Sequence, residues 1–144
     1  MVLPSTRGEK LKRKYASRGL RRHNKATTAL VDSGASNIFL TPDVPKKNVD
    51  TTSPHISVGA ATRPPMVSTA TCDLDLSLPA DFPTSGHIMS NFHENLVGIG
   101  PICDAKYSLI FNDEAVHIIN PSGTPVITGW QEDTGKKLWY IPLL

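Results

Sequence analysis

A tight-turn segment between two apolar runs constrains the fold of this chain more than any other feature. The run Ala29-Leu30-Val31 precedes the segment Asp32-Ser33-Gly34-Ala35-Ser36, and Ile38-Phe39-Leu40 follows it. Apolar runs of this kind are typical of buried strands. Asp and Ser favour turns because they bond to nearby backbone, and Gly accepts the sharp bend. The pattern therefore predicts a strand, a turn and a second strand, with Asp32 at the end of the first.

The residue types in this turn suit a catalytic aspartate. Packing of the preceding strand would fix Asp32, and Gly34 would let the backbone approach the carboxylate and donate its N–H to it. The Ser33 hydroxyl could bond to a neighbouring loop and brace the turn, while Ala35 keeps the adjacent space small. The same five residues are equally compatible with an ordinary turn. Further motifs must decide between these interpretations.

Length and composition favour a single all-β domain. A chain of 144 residues is long enough for one domain with one hydrophobic core. With 12 prolines, 10 glycines and only 19% charged residues, the sequence favours short strands and turns over helices.

The basic charge is concentrated at the amino terminus. Residues 1–25 hold nine of the 15 Lys and Arg residues and one acid, whereas residues 26–144 hold six basic and 12 acidic side chains. The first 25 residues lack a sustained apolar stripe, which predicts a basic flexible leader. Such a leader could contact RNA weakly through its charge, or it could link the domain to a larger polyprotein. Tyr15 is its one aromatic residue, so base stacking has little support.

Cysteine and histidine placement favours core thiols over a metal site. Cys72 and Cys103 are the only cysteines, and two lone thiols without a secretory leader predict reduced core residues in an intracellular protein. His87, His93 and Cys103 match no familiar zinc spacing, so we expect no metal and no cofactor. No apolar run is long enough to span a bilayer, and we expect no membrane contact.

The first half of the chain predicts loops around a β-hairpin. Residues 41–48 predict a polar loop broken by prolines. Residues 54–62 alternate through Ile56 and Val58 and stop at a glycine, which predicts a hairpin with its tip near Gly59-Ala60. Residues 66–78 alternate again and predict the outgoing arm, with one buried face.

The second half predicts one helix among strands. After a proline-containing loop over residues 79–86 and the apolar pair Ile88-Met89, the sequence reaches Leu96-Val97-Gly98. Residues 101–106 predict a helix, because glycine precedes them, Pro101 opens them and Lys106 closes them. Strands are predicted at 107–111, 115–120 and 126–130.

The order of three motifs resembles the retropepsins, the aspartic proteases of retroviruses and LTR retrotransposons. Asp32-Ser33-Gly34-Ala35 resembles the catalytic turn of that family, and the hairpin about Gly59 resembles its flap. Leu96-Val97-Gly98, which leads into Ile102 and the strand that ends at Phe111, resembles the two apolar residues and glycine before the family's short helix. The resemblance covers residues 26–130.

Among these retroelements, the sequence most resembles the copia type of retrotransposon. Residues 96–105 are similar to the stretch that follows the flap region in those polyproteins. Gly129-Trp130 and residues 138–143 resemble the passage that follows their protease. This chain therefore resembles a piece of a retrotransposon polyprotein or a gene descended from one. Residues 131–144 are predicted to be a C-terminal tail, either an interface strand or the start of the next polyprotein segment.

The resemblance implies a retropepsin-like closed barrel, one half of an acid protease, with a glycine-tipped flap hairpin, one short helix and an obligate homodimer. Aspartic proteolysis uses two carboxylates that share a proton, and this chain has one Asp-Ser-Gly triplet. Asp32 from each subunit would therefore meet on a two-fold axis. The substrate would be a polypeptide, the chain's own polyprotein. The expected location is the cytoplasm, where the protein is either free or within virus-like particles.

The resemblance also assigns site residues. The catalytic turn comprises Asp32, Ser33 and Gly34, and the flap covers an extended peptide as an added strand would. Val31, Ile38 and Ile88, like Val58 and Leu96, could line side-chain pockets or belong to the core. The expected substrate-binding residues are Ala35, Ile56, Val58, Gly59, Ala60, Leu96, Val97 and Gly98.

One departure from the family lies near the flap. Pro64 and Pro65 follow the hairpin tip, where they remove two backbone donors from a ladder that a flap needs. This departure supports the alternative of a catalytically silent retroelement-derived protein that still dimerises. A nucleic-acid-binding protein that acts through the basic leader is the third interpretation.

Overall fold

The computed structural model describes residues 25–60, 63–132 and 135–143, which form a mostly β structure with one short helix. The prediction of an all-β chain is confirmed at this level. The predicted basic leader, apart from Lys25, lies outside the described residues. The strands are β1 Thr28–Asp32, β2 Ile38–Leu40, β3 Lys46–Asp50, β4 Ser57–Ala60, β5 Arg63–Val67, β6 Ala70–Leu74, β7 Ser85–Ile88, β8 Asn95–Gly98, β9 Ser108–Phe111, β10 Ala115–Ile119, β11 Pro125–Gln131 and β12 Trp139–Pro142, with helix α1 at Ile99–Asp104.

Ten of these strands form one sheet, and β4 and β5 form a separate hairpin. The sheet order is β3-β6-β7-β2-β8-β1-β12-β11-β10-β9. Because β3 and β9 lie at opposite ends and do not pair with each other, the hydrogen bonds of the described residues do not close the predicted barrel. Closure would require β3 to offer a bonding edge, but β3 is rich in charged, exposed residues such as Lys47 and Asp50. Charged edges of this kind discourage further strand pairing.

Strand β8 lies between β1 and β2. It runs parallel to β1, in a register that pairs Leu30 with Leu96 and Asp32 with Gly98. It runs antiparallel to β2, where Phe39 pairs with Leu96. The two strands that flank the Asp32 turn therefore do not form a hairpin with each other. Instead, the turn passes over the carboxyl end of β8.

The hydrophobic core lies on one face of this three-strand unit. Asp32, Phe39 and Leu96 share one face of the sheet. Their neighbours along the strands, Val31, Ile38 and Val97, point to the opposite face. All three belong to the buried core cluster. Burial of each such side chain contributes about 1.5–3 kcal/mol relative to exposure. Val31, Ile38 and, in β7, Ile88 are core residues and not cleft residues.

Asn95 is a fully buried polar side chain at the centre of this region. It is 0% exposed, and its Oδ1 accepts a hydrogen bond from the Thr41 N–H at 2.9 Å. Its Nδ2 donates to the carbonyl oxygens of Lys25 at 2.9 Å and Thr28 at 3.1 Å. Asn95 thereby ties the start of β1 to the segment that follows β2.

The predicted tail belongs to the ten-stranded sheet. β12 pairs with β1 on one side, where Leu30 lies opposite Tyr140, and with β11 on the other. Ile141 is 0% exposed and packs in the core, and the Leu143 N–H donates to the Thr27 carbonyl at 2.8 Å. The predicted domain boundary at residue 130 therefore falls inside the sheet. β12 completes β1 within the same chain, and its two edges are already occupied.

Two predictions in the first half of the chain are corrected. Residues 46–48, the end of the loop predicted over 41–48, belong to β3, because pairing with β6 supplies the backbone hydrogen bonds that the polar sequence does not suggest. The arm predicted over residues 66–78 is interrupted at Ser68 and Thr69 and ends at Leu74. Leu76 and Leu78 pack against the core outside any strand.

The helix and the cysteines also differ in detail from expectation. α1 begins at Ile99, two residues before the predicted start, so Pro101 lies in its first turn, where backbone N–H groups have no helical partner. Cys72 is buried, as predicted, and burial raises the pKa of its thiol. Cys103 is exposed, because it lies on the outer side of this short helix, so the core prediction for it is wrong. No helix in the described ranges is long and apolar enough to cross a membrane.

Candidate active site

The Asp32 turn is held by two local hydrogen bonds, one to the Asp32 side chain and one to its backbone carbonyl. The Gly34 N–H donates to Oδ1 of Asp32 at 2.8 Å, as the sequence predicted. The Ala35 N–H donates to the Asp32 carbonyl oxygen at 3.3 Å. A Cβ atom at Gly34 would lie 3.3 Å from the same Oδ1, a tight contact that would require the carboxylate to shift by a few tenths of an ångström. The carboxylate is thus fixed at the end of β1 while Ser33 and Gly34 stay exposed.

Gly98 supports the turn from below. Its N–H donates to the Asn37 carbonyl at 3.0 Å. A Cβ atom there would lie 2.3 Å from the Ala35 carbonyl oxygen and 2.8 Å from that of Asn37. Both contacts are with backbone that cannot rotate away. The glycine of Leu96-Val97-Gly98 is therefore required by the close crossing of β8 under the Asp32 turn.

The β4–β5 hairpin forms the opposite side of the site. Val58 pairs with Met66, and Ala60 pairs with Arg63, so the register shifts between these two pairs. Pro64 and Pro65 lie within that irregularity, where a strand does not need a regular ladder of N–H donors. The prolines therefore do not prevent the hairpin from forming.

The base of the hairpin is anchored around Ser68. The Ile56 N–H donates to the Ser68 hydroxyl at 2.9 Å, and the Ser68 N–H donates back to the Ile56 carbonyl at 2.9 Å. The His55 ring also bonds to the Ser68 carbonyl. β4 continues through Gly59, so the predicted tip lies inside a strand, and residues 61 and 62, which connect the two strands, lie outside the described residues.

One cleft of about 410 Å³ brings the turn and the hairpin together. This volume is within the range of small-ligand and peptide side-chain sites. Asp32 lies on one side of it and the β4 strand on the other. Its lining residues are Asp32, Gly34, Ala35, Ser36, Asn37, Phe39, Ile56, Ser57, Val58, Gly59, Phe92 and Leu96.

Most of the predicted site residues line this cleft, and a few do not. Those that do are Asp32, Gly34, Ala35, Ile56, Val58, Gly59 and Leu96. Val97 is 0% exposed and faces the core, because adjacent residues of a strand point to opposite faces, so its substrate-binding assignment is wrong. Gly98 lies beneath the turn and acts through the backbone. Ser33 is exposed at the turn, and Ala60 ends β4.

Sequence reasoning missed the aromatic lining of the cleft. Phe39 comes from β2, and Phe92 comes from the segment between β7 and β8. Phe39 was part of a recognised apolar strand, and its cleft-facing position follows from its offset of one residue from Ile38. Phe92 stands between polar residues, and no periodicity marks it. Ser36, Asn37 and Ser57 complete the lining without a sequence signal of their own.

Asp32 is the only titratable side chain among the described residues that line the cleft. A single carboxylate can accept a proton from water, but it cannot at the same time protonate a substrate carbonyl. Within residues 25–60, 63–132 and 135–143, no three His, Cys, Asp or Glu side chains come together as a metal site.

Comparison with known proteins adds no assignment to this geometry. The chain matches no protein-family model, and no curated protein sequence matches it significantly.

Proposed function

We propose that this chain is an aspartic endopeptidase of the retropepsin type that acts as a homodimer. The observation that carries the proposal is the cleft in which Asp32, braced by the Gly34 N–H at 2.8 Å, lies opposite the β4 strand. A carboxylate at the end of a buried strand, with a hairpin across from it, can hold a water molecule and a peptide in fixed relation.

The second carboxylate would come from a second copy of the chain. Asp32 alone is titratable among the described lining residues, and Ser33, Gly34 and Ser36 leave the turn exposed to a partner. Two such turns on a two-fold axis would bring the Asp32 carboxylates together to share one proton. One carboxylate would take a proton from water while the other donates to the carbonyl oxygen of the scissile bond. The interface cannot rely on a free edge of β12, since β1 and β11 occupy both edges.

The substrate would be an extended polypeptide, in the retroelement interpretation the chain's own polyprotein. β4 and β5 pair only with each other among the described strands, so each retains one edge. A peptide between the hairpin and the Asp32 turn could use such an edge as an added strand. The apolar side chains Ile56, Val58 and Leu96 would contact its side chains.

The direct test compares the wild-type chain with Asp32→Asn on a peptide library and on a fusion precursor. Asparagine keeps an oxygen that can accept the Gly34 bond, so folding should be retained while cleavage falls by at least about 10²–10⁴-fold. Asp113→Asn, an exposed turn position between β9 and β10, is the matched control and should cleave normally. A statine-type transition-state mimic should inhibit the wild type. Unchanged cleavage by Asp32→Asn contradicts the proposal.

A mixing experiment tests the dimer separately. If two Asp32 residues are needed in one site, a ninefold excess of Asp32→Asn should lower the activity of each wild-type chain by about tenfold through mixed dimers. The same excess of an Asp32→Asn, Gly34→Trp double variant, whose turn cannot approach a partner, should have little effect. If the activity of each wild-type chain is unchanged by the excess of Asp32→Asn, the enzyme is monomeric and the two-carboxylate mechanism is contradicted.

A further inference from the structure

The cleft is aromatic on one side only. The rings of Phe39 and Phe92 have centroids 5.7 Å apart at an interplanar angle of 51°, and both rings line the same cleft as Asp32. The centroid of the His87 ring lies 6.3 Å from that of Phe39. The hairpin side carries Ile56, Ser57, Val58 and Gly59 instead, none of which is aromatic. A bound peptide would therefore meet aromatic rings on one side of the cleft and aliphatic or small residues on the hairpin side.

Strand register gives the distance between this aromatic wall, Phe39 and Phe92, and Asp32. Leu96 pairs with both Leu30 and Phe39, so these three residues lie in one row across the sheet. Asp32 lies two residues beyond Leu30 on the same face. With about 4.8 Å between strands and 3.3 Å per residue, the Cα atoms of Asp32 and Phe39 are about 12 Å apart. Side chains within two residues of a scissile bond at Asp32 can reach across this distance.

The two rings differ in exposure in a way that suits a binding wall. Phe39 is only 8% exposed, so it is fixed by packing in the sheet. Phe92 is half-buried, and its backbone N–H donates to the Met89 carbonyl at 3.1 Å, which holds its loop in a turn. Phe39 therefore packs behind Phe92 and supports it, and Phe92 is the ring that a substrate side chain would contact.

We propose that Phe39 and Phe92 are specificity-determining residues that select an aromatic side chain within two residues of the scissile bond over an aliphatic side chain of equal size. This proposal rests on the proposed endopeptidase function. Ring edges are positive and ring faces negative, so a third ring packs edge-to-face on an aromatic pair better than a saturated ring does. The expected preference is about twofold to tenfold in kcat/KM.

The test uses peptides that differ at one position, with phenylalanine, cyclohexylalanine or leucine at each of the two residues on either side of the cleaved bond. Wild-type chain should prefer phenylalanine to cyclohexylalanine by about twofold to tenfold at one of these positions. Phe92→Leu should remove this preference, and Phe92→Tyr, which keeps the ring, should retain it. Phe111→Leu, an exposed position on β9, is the matched control. A preference that survives in Phe92→Leu overturns the proposal.

A binding measurement separates this proposal from the proposed function. The same peptides are titrated into Asp32→Asn, with and without Phe92→Leu, by calorimetry. One outcome is that binding shows an aromatic preference that depends on Phe92 while the wild-type chain cleaves no peptide. That outcome supports the aromatic wall and contradicts the endopeptidase function. The opposite outcome is that cleavage depends on Asp32 while the phenylalanine and cyclohexylalanine peptides are bound and cleaved equally well. That outcome supports the endopeptidase function and contradicts the aromatic wall. Absence of both cleavage and aromatic preference overturns both proposals.

Discussion

The Asp32 turn and the β4–β5 hairpin lie on two sides of one cleft, but the chain holds them by different means. The turn joins β1 and β2, and both strands pair with β8 inside a ten-stranded sheet. The hairpin consists of two strands that pair only with each other among the described strands and are anchored at Ser68. An isolated two-stranded hairpin is marginally stable in water. The difference indicates that the Asp32 turn is placed rigidly, whereas the hairpin across the cleft depends on fewer bonds and can open more easily.

Glycine substitution on the sheet side should have the largest effect. In Gly98→Ala, the new Cβ would lie 2.3 Å from the Ala35 carbonyl oxygen, so either β8 or the Asp32 turn must move. We expect a loss of about 3 kcal/mol in the free energy of unfolding, measured by urea denaturation. Asp32-dependent cleavage should fall with it. An unchanged urea midpoint would show that the turn is not held as tightly as the geometry indicates.

Removal of the buried amide should have the next largest effect. Asn95→Ala leaves the Thr41 N–H and the Thr28 carbonyl without their side-chain partner inside the protein. We expect a destabilisation of about 2–3 kcal/mol. Asn91→Ala is the matched control, because Asn91 is exposed, and it should change stability by less than about 0.5 kcal/mol. Equal effects of the two substitutions would contradict the anchoring role of Asn95.

The contact between Tyr140 of β12 and Glu94, the residue before β8, should make stability fall at alkaline pH. The Tyr140 hydroxyl donates to the Glu94 carboxylate at 3.0 Å, and burial together with this bond raises the pKa of Tyr140 above its ordinary value of 10.0. In the unfolded chain the phenol ionises near pH 10, so stability is fully present below that pH and falls as the pH rises above it.

Tyr140→Phe tests this dependence. The variant should lose about 1.5 kcal/mol at pH 7, because a hydrogen bond to a charged group is removed. Its stability should decline less steeply than that of wild-type chain between about pH 10 and 11.5, measured by urea denaturation at each pH. Parallel pH profiles for the two chains would contradict a folded-state role of this phenol.

Glycine substitution on the hairpin side should have the smallest effect. In Gly59→Ala the new Cβ meets no atom within 4 Å. Stability should change by less than about 0.5 kcal/mol. Because Gly59 lines the cleft, cleavage is measured separately from unfolding. A destabilisation that matches Gly98→Ala would remove the contrast between the two sides of the cleft.

The sequence predicted the local elements well where short-range patterns decide them. The apolar runs beside Asp32, the alternation at Ile56 and Val58, and the strands near 108–111, 115–119 and 125–131 were recognisable from period and turn residues. The Gly34 bond to Asp32 followed from glycine's small size. Lys46–Asp50 was missed because its strand character comes from pairing with β6 and not from its own polar residues.

The sequence predicted those parts of the candidate site that depend on short-range patterns. Asp32 and Gly34 belong to one local motif, and Leu96 lies in a recognised apolar segment. The assignment of Val97 to the cleft failed because the face to which a strand residue points depends on the register with neighbouring strands. One strand alone does not reveal that register. Phe92 was missed because it reaches the cleft from a loop with no periodic pattern.

What the sequence by itself determined is the chemistry of the turn: an aspartate at a strand end, with a glycine two residues later that can approach it. These properties depend on neighbours along the chain. Only the tertiary structure decided that β8 passes between β1 and β2, that Gly98 lies beneath the turn, and that residues 139–142 form the neighbour of β1. These arrangements join residues more than 55 positions apart, and such pairing depends on the shared burial of distant segments rather than on local pattern.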